Sequence, residues 1–171
     1  VALHLLGVIA HQVGKNDEAA DLITRSLAAK PDYAEAHHNL ANVFKKLGKL
    51  DKAVASCRKA LDIKPDYADA HNNLGILLKV LGRLNEAITQ YQKVIDIEPN
   101  HASAHYNLGI ALNEIGRLEE AAVHYRTAID INPNHANAHN NLGIWLQEIG
   151  RLDEAVVHCL KAIAIEPEFA K

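Results

Sequence analysis

Glycine and proline in this chain stand on one ruler. Gly14, Gly48, Gly82, Gly116 and Gly150 are 34 residues apart, and all five prolines, Pro31, Pro65, Pro99, Pro133 and Pro167, keep the same step. Each proline follows its glycine by 17 residues, so every period divides into two equal halves. Proline removes a backbone donor and glycine frees the chain to turn, so neither belongs inside a regular element. Two breakers per period leave room for two short elements and nothing longer. A fixed period of this length marks stacked repeats, because a unit so small cannot bury its apolar face alone. The 171 residues hold five periods and one residue more.

Both halves of a period read as helix. Ala36, Leu40, Ala41, Val43, Phe44 and Leu47 recur at helical spacing, as do Leu50, Ala53, Val54, Cys57, Ala60, Leu61 and Ile63 in the next half. Gly48 sits where a helix closes in the left-handed conformation, and Pro65 stops the second helix. Asp32, Asp66, Asn100 and Asn134 follow their prolines as expected N-caps, and Asp32 with Glu35 has the form of a capping box. The turns are short enough to force antiparallel neighbours. No strand pattern competes.

Small residues repeat where two helices must touch. Ala19, Ala53, Ala87, Ala121 and Ala155 share one register position, and Gly7, Ala41, Gly75, Gly109 and Gly143 share another. A bulky side chain at either would wedge the helices apart. Leu6, Leu40, Leu74, Leu108 and Leu142 are expected to fill the space beside them.

With these residues in place the sequence resembles the tetratricopeptide repeats. The Leu-Gly pairs Leu74-Gly75, Leu108-Gly109 and Leu142-Gly143, with Leu40-Ala41, fall in the family's register, followed by the later alanines and the terminal proline. Ala60, Ala128 and Ala162 occupy a further family position, where Val94 departs. The usual Trp is replaced by His37, His71, His105 and His139. The resemblance implies an all-α, right-handed α-solenoid of five tandem helix-turn-helix repeats in one domain. Its repeats run about 1–33, 34–67, 68–101, 102–135 and 136–169. The absence of Met and the start of a sixth repeat at Phe169 predict that the natural chain is longer.

Other classes are disfavoured. Lys and Arg number 18 against 21 Asp and Glu, a net charge of −3, so no nucleic-acid partner is expected. No apolar run is long enough for membrane insertion, and no signal peptide is visible. No phosphate loop, Gly-x-Ser-x-Gly or His-Glu-x-x-His is present, so the chain is not expected to be an enzyme by itself or to carry a cofactor. Carboxylates such as Glu119 and Glu120 suit a helix start. Cys57 and Cys159 share one register position three repeats apart, too far to pair. As buried, reduced thiols they fit a cytoplasmic compartment. His101 and His105, like His135 and His139, are spaced to share a helix face, but no third ligand is signposted and no metal is expected. The repeated histidines read as half-buried packing groups with hydrogen bonds, whose protonation would lower stability if folding depresses their pKa.

Asparagine is the more informative column. Asn39, Asn73, Asn107 and Asn141 repeat every 34 residues in the first helix, which lines the inner concave surface of such an array. Asn is a middling helix former, so its recurrence in mid-helix needs a reason. Its amide both donates and accepts, and a row of amides can hold the backbone of an extended peptide without reading side chains. The same amides could instead bond neighbouring helices and fix repeat geometry. Neighbouring columns add Asn42, Asn72, Tyr106 and Asn140 to the groove, with Lys45 and Lys79 to orient the partner. The column of Asn42, Ile76, Ile110 and Ile144 gives an apolar strip, and that of Lys46, Val80, Glu114 and Glu148 turns acidic toward the C-terminus. A peptide acidic at one end and basic at the other would be complementary. A clamp for a C-terminal carboxylate is not expected, since His38, Ser103 and Asn107 stand where the family's clamp has basic residues.

His-Asn-Asn-Leu-Gly, at 71–75 and 139–143, followed by Gly-Arg-Leu-x-Glu-Ala, is similar to the repeat arm of O-linked N-acetylglucosamine transferases and their bacterial relatives. That similarity implies an inward-facing asparagine ladder and a possible role as a substrate-presenting arm. The primary expectation is a protein-interaction scaffold for an extended peptide. A third reading is end-to-end self-association through Trp145, whose position would pack on a following repeat.

Overall fold

The computed structural model describes residues 2–170, and its described residues form helices without any strand. Five helix pairs follow one another: α1 (Ala2–Gln12) and α2 (Asn16–Ala29), α3 (Ala34–Lys46) and α4 (Leu50–Ile63), α5 (Ala68–Val80) and α6 (Leu84–Ile97), α7 (Ala102–Glu114) and α8 (Leu118–Ile131), α9 (Ala136–Glu148) and α10 (Leu152–Ile165). A 3-10 turn, Pro167–Ala170, closes the described chain. No helix among the described residues is long and apolar enough to cross a membrane. Two units are distinguished, Val1–Gln90 and Tyr91–Lys171, with the division inside α6.

The comb glycines all close first helices. Gly48 has φ 69°, its N–H bonds the Lys45 carbonyl at 3.1 Å, and the Lys49 N–H bonds back to Phe44 at 2.9 Å. This pair of bonds is the Schellman closure, which only a residue at ease with positive φ can make cheaply. The other end differs from the sequence expectation by one residue. Tyr33, Tyr67, His101 and His135 are the N-caps, not the Asp or Asn before them. The Tyr33 carbonyl already takes helical bonds from Ala36 and His37. His101 and His135 cap with the ring, Nδ1 accepting from the Ala104 and Ala138 N–H groups at 3.1 and 3.3 Å.

Within a pair the helices meet at the small residues. A Cβ added to Gly109 would lie 2.6 Å from the Tyr125 ring and 3.2 Å from the Ala121 carbonyl oxygen. At Gly143 it would lie 2.7 Å from Cys159 Sγ and 3.3 Å from the Ala155 oxygen. Leu40, Leu74, Leu108 and Leu142 are buried beside these contacts. Each contributes about 1.5–3 kcal/mol of apolar burial. Leu6 is 52% exposed, because α1 has no further helix on that side among the described residues. Both cysteines are unpaired; burial pushes the Cys57 thiol up to about 12, while Cys159 is only half-buried.

The repeated histidines are buried rather than half-buried. In each, Nε2 donates to the proline carbonyl six residues earlier: His37 to Pro31 and His71 to Pro65 at 2.9 Å, His105 to Pro99 at 3.0 Å, His139 to Pro133 at 3.1 Å. A carbonyl only accepts, so Nε2 carries the proton. The Nδ1 partner differs between the units. His71 Nδ1 lies 2.8 Å from the Gln90 amide, which can turn either its N–H or its oxygen to the ring. His105 and His139 instead face His124 and His158, Nδ1 to Nδ1, at 3.0 and 2.8 Å. The ring centroids lie 5.3 and 5.1 Å apart, about two ring radii more than the nitrogens. The nitrogens therefore point at each other and share one proton, and a second proton would set two donors nose to nose. Burial, and next the facing His105, holds His124 below its ordinary pKa, against Glu120. Burial, then His139, Lys161 and Arg126, does the same for His158, against Glu154.

Two outcomes are expected. Gly109→Ala costs about 1–3 kcal/mol, the usual range for overpacking, in urea unfolding. Gly143→Ala costs less, since Ala41 in the equivalent place already stands one register step from the buried Cys57; equal costs would show that the Tyr125 ring is not the constraint. As for pH, a histidine lowered in the folded state leaves the unfolded chain binding more protons. The stability it contributes is thus present above about 6.5 and lost as pH falls through the folded value. The melting temperature falls on acidification below that point. The double change His124→Gln, His158→Gln, which copies Gln90, reduces the fall.

Candidate functional site

The candidate surface is the face of the first helices. In Val1–Gln90 it comprises α1, α3 and α5, with α3 packed between the other two. Asn39 Nδ2 donates to His4 Nε2 at 2.9 Å. Asn73 Nδ2 donates to Asn42 Oδ1 at 2.9 Å and lies 3.4 Å from His38 Nε2, to which Asn42 also donates at 3.2 Å. Each column asparagine thus reaches the residue 35 positions earlier, one repeat and one step back. His38 accepts at Nε2, so its proton is on Nδ1, an atom buried without a hydrogen-bond partner. Burial, opposed by Asp69 and Glu35 and assisted by Lys45, holds His38 below its ordinary pKa, which keeps it an acceptor. Rings brace this row: His4 packs on Tyr33 at 4.8 Å and His38 on Tyr67 at 5.0 Å. Lys30 and Lys64 lie over those tyrosines at 4.9 and 4.8 Å. Asn72, Lys45 and Lys79 are half-buried on the same helices.

In Tyr91–Lys171 the same register is built from tyrosine. Tyr106 packs on the capping ring of His135 at 4.6 Å, and Asn141 hydrogen-bonds both Tyr106 and Tyr125. Burial, then neighbouring Tyr106 and Glu114, pushes Tyr125 up to about 12 against the Asn141 bond, so it stays a neutral phenol. Asn107 and Asn140 are half-buried beside this pair. A cavity of about 210 Å³ opens here between α7 and α9, over Tyr125 of α8. Ile110, Ile144 and Trp145 wall it, and Asn113, Glu114, Asn141 and Glu148 supply its polar atoms.

Trp145 is placed differently from the sequence expectation. It is half-buried against its own unit, with the Arg126 guanidinium of α8 over the ring at 5.2 Å and Nε1 buried without a partner. The large exposed apolar side chains of this unit's end are instead Leu152, Val156, Val157 and Leu160 of α10. Sequence reasoning also missed the capping rings of Tyr33, Tyr67 and His135, whose signal was a further column at the same period. A second hollow, about 660 Å³, lies between α2, α3 and α4 in the first unit, lined by Leu27, His37, Leu40, Phe44, Lys52 and Ile63 among others. Among the described residues no three His, Cys, Asp or Glu side chains gather as a metal site. The Arg-x-x-Glu words are local ion pairs: Arg83 holds Glu86 at 2.6 Å, Arg117 holds Glu120, and Arg151 holds Glu154. All are exposed, and such pairs contribute little.

Comparison with known proteins fits this construction. The sequence matches the TPR repeat family over residues 41–82, 78–116 and 111–150. It matches further tetratricopeptide repeat families over 22–55, 2–35 and 136–169. No curated protein matches the sequence. Among solved structures, a crystal structure of MamA aligns with a TM-score of 0.88 at 26% identity, covering 96% of this chain and 96% of that one. YrrB, described as a TPR protein with an unusual peptide-binding site, aligns with a TM-score of 0.81 at 23% identity, over 98% of this chain and 86% of its own. PilF of Pseudomonas aeruginosa aligns with a TM-score of 0.88 at 22% identity, over 95% and 74%. Periodic caps, small-residue helix contacts and these matches from residue 2 to 169 converge: the chain belongs to the tetratricopeptide repeat family.

Proposed function

We propose that the first-helix face binds an extended peptide segment of a protein partner through the asparagine column Asn39, Asn73, Asn107 and Asn141, each unit presenting its own stretch. One observation carries this reading: the amides are fixed before any partner arrives. Asn39 and Asn73 spend Nδ2 on side chains of the preceding repeat, which leaves the amide oxygen for a peptide N–H. A preorganised row places the ordering cost mainly on the peptide. Lys45, Lys79, Asn72, Tyr106 and Asn140 flank the row and orient the segment. The repeat scaffold supports a protein-interaction role, and a peptide-binding site occurs in YrrB on the same fold.

Two further readings have support. The words at 71–75 and 139–143 favour a substrate-presenting arm of a glycosyltransferase, with the same groove chemistry and the reaction carried out elsewhere. The exposed Leu152, Val156 and Leu160, one face of α10, favour association of copies, with Trp145 as a buried support rather than the contact itself.

The test separates a binding role from a purely architectural one. Titration with a library of unstructured peptides, by isothermal calorimetry, selects a binder. The double change Asn73→Ala, Asn107→Ala is expected to weaken it about tenfold or more, ~1.4 kcal/mol, with only a small drop in melting temperature. Unchanged affinity with a large drop in melting temperature would make the amides structural only.

A further inference from the structure

We infer that the cavity between α7 and α9 seats one arginine side chain of the bound segment. This deepens the peptide-binding reading and rests on it. The cavity, about 210 Å³, is small for a whole ligand, since small-molecule sites span about 300–1,000 Å³; its size suits a single long side chain. Ile110 and Ile144 offer apolar walls at one register position on successive first helices, the right surface for an aliphatic stem. The indole of Trp145 and the ring of Tyr125 close the floor. Glu114 and Glu148 stand at the mouth, also at one register position. At that position the first unit has Lys46 and Val80, so only the second unit offers carboxylates to a cation.

Three features select arginine over other residues. A neutral side chain would leave Glu148 without compensation as the peptide displaces water. A lysine would satisfy one charge as a point, whereas a guanidinium can fork onto carboxylate oxygens and lie flat on an aromatic ring. The Trp145 ring already carries one guanidinium, that of Arg126, from the α8 side, so the indole in this setting is a surface that accepts the group. Asn113 and Asn141 supply amide oxygens at the same cavity.

The chain contains a single tryptophan, and it lines the cavity, so its fluorescence reads occupancy. Two short unstructured peptides, identical except for arginine or its neutral isostere citrulline at one position, are titrated against the full chain. The side-chain amide signal of Asn73, followed by NMR, reports independently on the groove of the first unit. The arginine peptide is expected to shift Trp145 emission and to bind about tenfold tighter than the citrulline peptide. Glu148→Gln, checked for unchanged helicity, is expected to remove that preference. Equal binding of both peptides, with Asn73 shifted, overturns the arginine pocket and leaves the groove reading standing. An arginine-dependent Trp145 response with Asn73 unmoved keeps the pocket and removes the asparagine row. Silence at both probes overturns both.

Discussion

Everything on this surface depends on how closely two helices of a repeat can approach. Ala19, Ala53, Ala87 and Ala121 are essentially without exposure, and glycine stands across from several of them. At Gly109 the neighbouring backbone carbonyl would lie 3.2 Å from an added Cβ. With the helices this close, the first helix is held in a fixed rotation by its partner. The asparagine, one residue before the core leucine, is then turned to the edge of the core rather than into it. The polar column is a consequence of apolar packing: the leucine must go in, so the residue before it lies half-buried on the first-helix face.

The histidine column serves the same end by different means. Its Nε2 bond to the proline carbonyl ties the first helix to the turn that precedes it, and its Nδ1 partner ties it to the second helix. A large aromatic could fill the space but could not satisfy the orphan carbonyl. The choice of Gln90 in one repeat and His124 or His158 in others leaves geometry alike and changes the response to protons. Packing and titration are therefore set by separate residues in the same small cluster.

The period, the helix pairs and the small-residue contacts were legible because each is local or strictly repeated. Gly48 announces its turn with no help from the rest of the chain. What escaped the sequence depends on contacts between elements. Asp32 has the chemistry of an N-cap, yet the helix begins after Tyr33, whose ring must reach His4 on the first helix of its repeat. Trp145 reads as an outward group until Arg126 of the preceding repeat is seen over it. Asn39 and Asn73 were legible as a column, but their partners, His4, His38 and Asn42, lie almost a full period away. The wall residues Ile110 and Ile144 were visible as a strip; that they enclose a cavity with Tyr125 required the second helix.

The amides on this face are both cement and binding groups: one atom fixes the repeat, the other faces a partner. Two hollows compete for a bound segment, since the outer one beside Phe44 and Lys52 is larger than the one beside Trp145. The most direct test is a crystal structure of the chain with a bound peptide selected from an unstructured library. The expected result is an extended backbone along the first helices, its N–H groups on the oxygens of Asn39 and Asn73. A peptide lodged instead between α2 and α4, with those asparagines bonded only to their own helices, would contradict it.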